Sequence, residues 1–73
     1  MMTILFKGCT EDVKKISFTR LLQGRANIRL KEAKNILDRI LDNEVVELHV
    51  LDHNIADEIV SEATKLGFIC EVK

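Results

Sequence analysis

Residues 30–50 read LKEAKNILDRILDNEVVELHV, and this stretch decides the fold. Leu30, Ala33, Ile36, Leu37, Ile40 and Leu41 recur at helical spacing, which predicts a helix with one apolar face. Asn43 is its expected stop. From Glu44 the period changes from 3.6 to 2. Val46, Leu48 and Val50 fall on one side, and Val45, Glu47 and His49 on the other, as in a half-buried strand.

Upstream, Met2–Lys7 is a short apolar strand with Ile4 and Phe6 on one face. Thr10 is the expected cap of a first helix, with Glu11 and Asp12 in the turn where the helix dipole favours acids. Val13, Ile16, Phe18, Leu21 and Leu22 supply its apolar stripe, and Gly24 is its expected end. Arg25–Arg29 then form a short connection. Downstream, Asp52 or Asn54 caps a third helix, with Asp57 completing a near capping box after Asn54. Ile55, Ile59, Ala63 and Leu66 line its buried side and Gly67 closes it. Phe68–Val72 alternates again, setting Phe68, Cys70 and Val72 against Ile69 and Glu71.

The element order is β-α-α-β-α-β over one domain, residues 1–73. It fits a two-layer α/β sandwich with helices on one face of a small sheet. The pattern alone leaves the sheet mixed or antiparallel. At 73 residues and 47% apolar, the chain is too small for a second lobe and too apolar for disorder. No apolar run approaches a membrane span, and the first lysine follows the N-terminal apolar stretch where a signal peptide needs it to precede. A cytoplasmic protein with reduced thiols is expected.

Catalytic chemistry finds no footing in the residues. No nucleophile elbow, phosphate-binding loop or dinucleotide fingerprint occurs. Cys9, Cys70, His49 and His53 lack the spacing of a zinc set, so neither metal nor cofactor is expected. Glu11 and Asp12 beside Gly8-Cys9-Thr10 repel anions and oppose a thiolate. His49 and His53 have no carboxylate arranged for acid–base work. The expectation is a non-enzymatic chain.

Charge is the feature above background. Residues 1–34 carry +5 and residues 35–73 carry −6, within a net −1. Lys14, Lys15, Arg20 and Arg25 belong to the first helix and its exit. Arg29, Lys31 and Lys34 belong to the start of the second. A hairpin of these helices makes one basic face, fit for an acidic protein or for nucleic acid. No aromatic residue is interleaved with the basic set to stack on bases.

Residues 24–34, GRANIRLKEAK, and residues 62–73, EATKLGFICEVK, resemble the C-terminal domain of the bacterial large-subunit ribosomal stalk protein. The shared features are a glycine-bounded turn before Leu-Lys-Glu-Ala-Lys and a last helix with a glycine stop and a Glu-Val-Lys ending. The resemblance implies a three-stranded antiparallel sheet with three helices on one face. It also implies docking of translational GTPases through the first two helices. Carried over by position, Lys15, Ile16, Arg20 and Lys34 match the family's contact face in type. Thr19 stands at an apolar contact of the family, Gln23 at an arginine, and Asn27 and Arg29 at glycines. Lys31 adds a further charge to the same face. The family's dimerisation domain and Ala/Gly-rich hinge are not among these residues, so a stand-alone relative or an isolated domain of this type is expected. The same fold resembles the Clp protease adaptor that binds destabilising N-termini. Here Gly8–Asp12 occupies its Asn-Asp-Asp turn and Ile40-Leu41-Asp42 the helix end that bears its histidine. An RNA binder is thus the second reading and a peptide-binding adaptor the third.

Overall fold

The computed structural model describes residues 2–73. The elements are β1 Met2–Cys9, α1 Lys15–Arg25, α2 Leu30–Leu41, β2 Val46–Val50, α3 His53–Lys65 and β3 Phe68–Val72. The strands form one sheet in the order β2-β1-β3. Both pairings are antiparallel, with Ile4 opposite Leu48 on one side and Val72 on the other. β2 and β3 are therefore parallel to each other, separated by β1 and joined by the α3 crossover. Between β1 and β3 the register shifts from Phe6–Cys70 to Gly8–Ile69, which leaves Lys7 as the extra residue of a bulge.

Alternation along the strands builds the core. Ile4, Phe6, Val46, Leu48, Val50 and Phe68 are buried beneath the helices. Above them lie Phe18 and Leu22 of α1, Ala33, Ile36, Leu37 and Ile40 of α2, and Ala56, Ile59 and Ala63 of α3. α1 packs across α2 and α3. It reaches the sheet through Phe18, whose ring stacks on Phe68 at 3.9 Å and meets Phe6 edge-on at 5.4 Å. The architecture is the three-stranded antiparallel sandwich that the resemblance implies, where the pattern alone left the sheet mixed or antiparallel.

The first helix differs from its sequence pattern. It begins at Lys15 and not at Thr10, and Lys14 caps it without a side-chain hydrogen bond. The Thr10 amide donates to the Gly67 carbonyl at 2.7 Å and the Lys14 amide to Leu66 at 3.0 Å. These bonds to the α3–β3 turn hold residues 10–14 in a loop, because both amides find fixed tertiary acceptors there that a fraying first turn does not offer. Gly24 does not end α1. The helix runs through Arg25, and the left-handed residue is Asn27, with φ of 55°. Asparagine tolerates that conformation because its short amide can bond locally. The buried residues of α1 are Phe18, Thr19 and Leu22, so the stripe lies about 100° from Ile16, which is 71% exposed.

The other two helices follow the sequence closely. α2 has the expected span, and Asn43 takes the left-handed stop with φ of 65°. Asp52, not Asn54, caps α3, its Oδ1 accepting from the Ile55 amide at 2.9 Å. Gly67 closes that end with φ of 99°.

Gly24 now sits in an exposed helical turn where an added Cβ meets no atom within 4 Å. Gly24→Ala is expected to stabilise the fold by about 0.5–1 kcal/mol through reduced unfolded-chain entropy. A thermal melt checks this, with a rise in Tm of a few degrees as the expected result.

Candidate docking face of the first two helices

The helical period sorts the α1 side chains around the axis. Phe18, Thr19 and Leu22 turn inward, and Ile16, Arg20 and Gln23 form an outward ridge at i, i+4 and i+7. On α2, Ala33, Ile36, Leu37 and Ile40 turn inward, while Lys31, Lys34 and Asp38 share the exposed side. A groove of about 270 Å³ runs between the helices, lined by Lys15, Ile16 and Thr19 from α1 and by Lys34, Leu37 and Asp38 from α2.

Two neighbouring hollows extend it. One, at the start of α1, shares Lys15 and Ile16 with the groove and adds Val13, Lys14 and Ser17. The other, over the first turns of α2, shares Lys34 and Asp38 and adds Arg29, Lys31, Glu32 and Asn35. The result is one strip from the start of α1 to the start of α2, with an apolar patch near its middle.

Four of the eight expected contact residues, Lys15, Ile16, Thr19 and Lys34, meet in the groove itself. Arg29 and Lys31 stand in the adjoining hollow. Arg20 and Gln23 lie on the exposed ridge beside Ile16, outside the groove lining. Thr19 departs from its expected role as a presented contact. It is only 7% exposed, and its hydroxyl donates to the Ile16 carbonyl at 2.9 Å. It forms the floor of the groove, with its polar group already satisfied.

Leu37 and Asp38 also line the groove, though their sequence pattern assigns them elsewhere. Leu37 read as core, and Asp38 as the start of the acidic half. The spacing Lys34–Asp38, i to i+4, carries the signal that would have placed Asp38 on this face.

The distribution of ion pairs singles out this face. Lys7, Arg25, Arg39, Lys65 and Lys73 each approach a carboxylate within 4 Å. Among the described residues, the other six cations have no such partner: Lys14, Lys15, Arg20, Arg29, Lys31 and Lys34. All six stand at the two helix starts or along the ridges between them. Lys14, Lys15, Arg29 and Lys31 sit at helix N-termini, where positive charge opposes the dipole. The arrangement runs against local helix stability and gives the strip beside exposed Ile16 a net positive charge, with Glu32 and Asp38 as the acids within it.

Elsewhere several polar groups are engaged. Lys7 and Glu71 pair at 2.8 Å, and Thr3 Oγ1 meets His49 Nδ1 at 3.1 Å. His53 pairs with Asp57 at 3.0 Å along α3. Burial pushes the Cys70 thiol up, against a smaller opposing effect of its Thr64 contact, so it is held as a neutral thiol. Among the described residues, no group of three or more His, Cys, Asp or Glu side chains is placed to share a metal ion. Within Gly8–Asp12, the stretch that stands at the adaptor's turn, the Thr10 amide is already bonded to the Gly67 carbonyl. Phe6, Phe18 and Phe68 are all buried, leaving no aromatic ring on the basic strip. Comparison with protein-family models, with curated proteins and with solved structures finds no match to this chain.

Proposed function

We propose that this chain is a non-enzymatic, cytoplasmic protein-interaction module that docks an acidic, amphipathic surface through the α1–α2 groove. The observation that carries this reading is the six carboxylate-free cations around exposed Ile16. Net positive charge steers encounter, and an apolar residue within the patch supplies the contact area that holds the complex. Translational GTPases are the proposed partner class, on the resemblance of residues 24–34 and 62–73 to the stalk domain. A protein target is favoured over RNA because the buried phenylalanines leave bases nothing to stack on. No helix of the described residues is long and apolar enough to cross a membrane.

The test is a binding measurement against a purified bacterial elongation-factor GTPase, with structured and single-stranded RNA in parallel. Lys15→Glu/Lys34→Glu is expected to slow association about tenfold or more at low salt, since it converts two steering charges to repulsive ones. Ile16→Ala is expected to act mainly on dissociation. Equal GTPase binding by wild type and both variants overturns the docking face. Binding to RNA alone, with a steep loss as salt rises, replaces the protein partner with nucleic acid.

A further inference from the structure

β2 is an edge strand, and its sequence is complementary to itself. The Lys73 amide donates to the Thr3 carbonyl, so the backbone groups of Thr3 point toward β3. Hydrogen-bonding direction alternates along a strand, so Thr3–His49 and Leu5–Glu47 are non-bonded pairs of the β1–β2 ladder. The N–H and C=O groups of Glu47 and His49 therefore point outward, to the free edge. Val46–Val50 has no proline, lysine or bulge to blunt the edge, and its one acidic residue, Glu47, is a partner in the pairing below.

An antiparallel partner strand must pair Glu47 and His49 with outward-facing groups of its own. A two-fold axis through Leu48 does so with a second copy of β2. Glu47 then lies opposite His49 of the other copy, and His49 opposite its Glu47, as hydrogen-bonded pairs. Val46 meets Val50, and the same register carries Val45 toward Leu51. Those two residues are 59% and 83% exposed, with no cover in the single chain. His49 Nδ1 lies 3.1 Å from Thr3 Oγ1; with that hydroxyl as the donor, Nε2–H faces the Glu47 carboxylate of the other copy, whose Oε2 lies 3.4 Å from its own Lys73 Nζ. Moving the axis to Glu47 or to His49 sets like residues against each other. Charge therefore selects the Leu48 register. The other edge lacks this property: the same operation on β3, centred on Cys70, opposes Ile69 to Glu71.

We propose that two copies of this chain associate through β2, pairing residues 45–51 about Leu48 into a continuous six-stranded antiparallel sheet. This goes beyond the docking reading and uses none of the groove residues.

Sedimentation velocity of the full chain, from micromolar to millimolar concentration at pH 7, is the test. A reversible shift from monomer to twice the monomer mass is expected. His49→Glu places four carboxylates at the seam and is expected to weaken the dimer about tenfold or more, because the two-fold axis counts each pair twice. The exchange Glu47→His/His49→Glu restores opposite partners across the seam and is expected to recover the dimer. Glu47→Pro removes an outward N–H while leaving the β1 ladder intact, and is expected to give a folded monomer by circular dichroism. A chain that stays monomeric at millimolar concentration overturns the proposal. So does a dimer unmoved by His49→Glu and Glu47→Pro, which would place the contact on another face.

Discussion

Phe18→Ala is expected to leave the chain largely unfolded at 25 °C. Phe18 is fully buried, and its ring joins the other two aromatic residues of the chain. It stacks on Phe68 at an interplanar angle of 21° and meets Phe6 at 85°, the edge-to-face arrangement that the ring quadrupole favours. Truncating a buried phenylalanine costs about 3–5 kcal/mol in transfer and cavity terms. A core of this size supplies only about 3–5 kcal/mol in total. The loss therefore equals the whole margin. α1 also has no other anchor of this size on the sheet, so the cavity opens where the helix is held. Urea denaturation followed by circular dichroism reads the outcome. A cooperative transition with a midpoint near wild type would show that Leu22 and Ile59 close the gap. Phe18→Leu keeps most of the volume and is expected to remain folded, with a lower midpoint.

The same residue shows where the sequence was legible. In α2 and β2 the apolar positions are unambiguous, since every inward residue is Ala, Ile, Leu or Val and every outward one between them is polar or at an end. The period alone therefore fixes both elements, and the buried set Val46, Leu48 and Val50 follows. In α1 the apolar residues point in several directions. Ile16, Phe18, Leu21 and Leu22 span most of the helix circumference, and only packing decides that Phe18 and Leu22 go in and Ile16 stays out. The docking face depends on that decision, because a buried Ile16 would leave only charge. Local chemistry misleads at both ends of α1 for related reasons. Thr10-Glu11-Asp12 has the composition of a cap, but its loop is fixed by carbonyls more than fifty residues away in sequence. Gly24 has the freedom to end a helix, but Asn27 meets the connection to α2 three residues later. The basic strip was visible as composition, while its lack of carboxylate partners is a property of the fold alone.

Gly67→Ala is expected to cost about 2–3 kcal/mol, a large loss for a change that removes no core atom, since it adds left-handed strain to a steric clash. Gly67 has φ of 99°, a conformation that a side chain strains. An added Cβ would lie 2.7 Å from Thr10 Oγ1 and 3.2 Å from the Val13 Cα. The Thr10 hydroxyl can rotate away, but the Val13 backbone is held by the Lys14–Leu66 hydrogen bond beside it. Thr10→Ala in the Gly67→Ala background is therefore expected to return about 0.5–1 kcal/mol and no more, a coupling that a double-mutant cycle measures by urea denaturation. Full recovery would mean that the hydroxyl alone opposes the methyl. No loss in the single variant would mean that the turn rearranges freely. The close approach of Gly67 has a consequence for the docking face. It lets residues 10–14 lie against the α3–β3 turn, and this contact fixes where α1 begins. Lys15 and Ile16 are the first two residues of that helix. A variant that pushes the loop outward is expected to shift or fray the first turn, and with it half of the groove. At temperatures where Gly67→Ala remains folded, it should weaken partner docking while leaving Lys34, Leu37 and Asp38 in place, whereas Gly24→Ala at the other end of α1 should not.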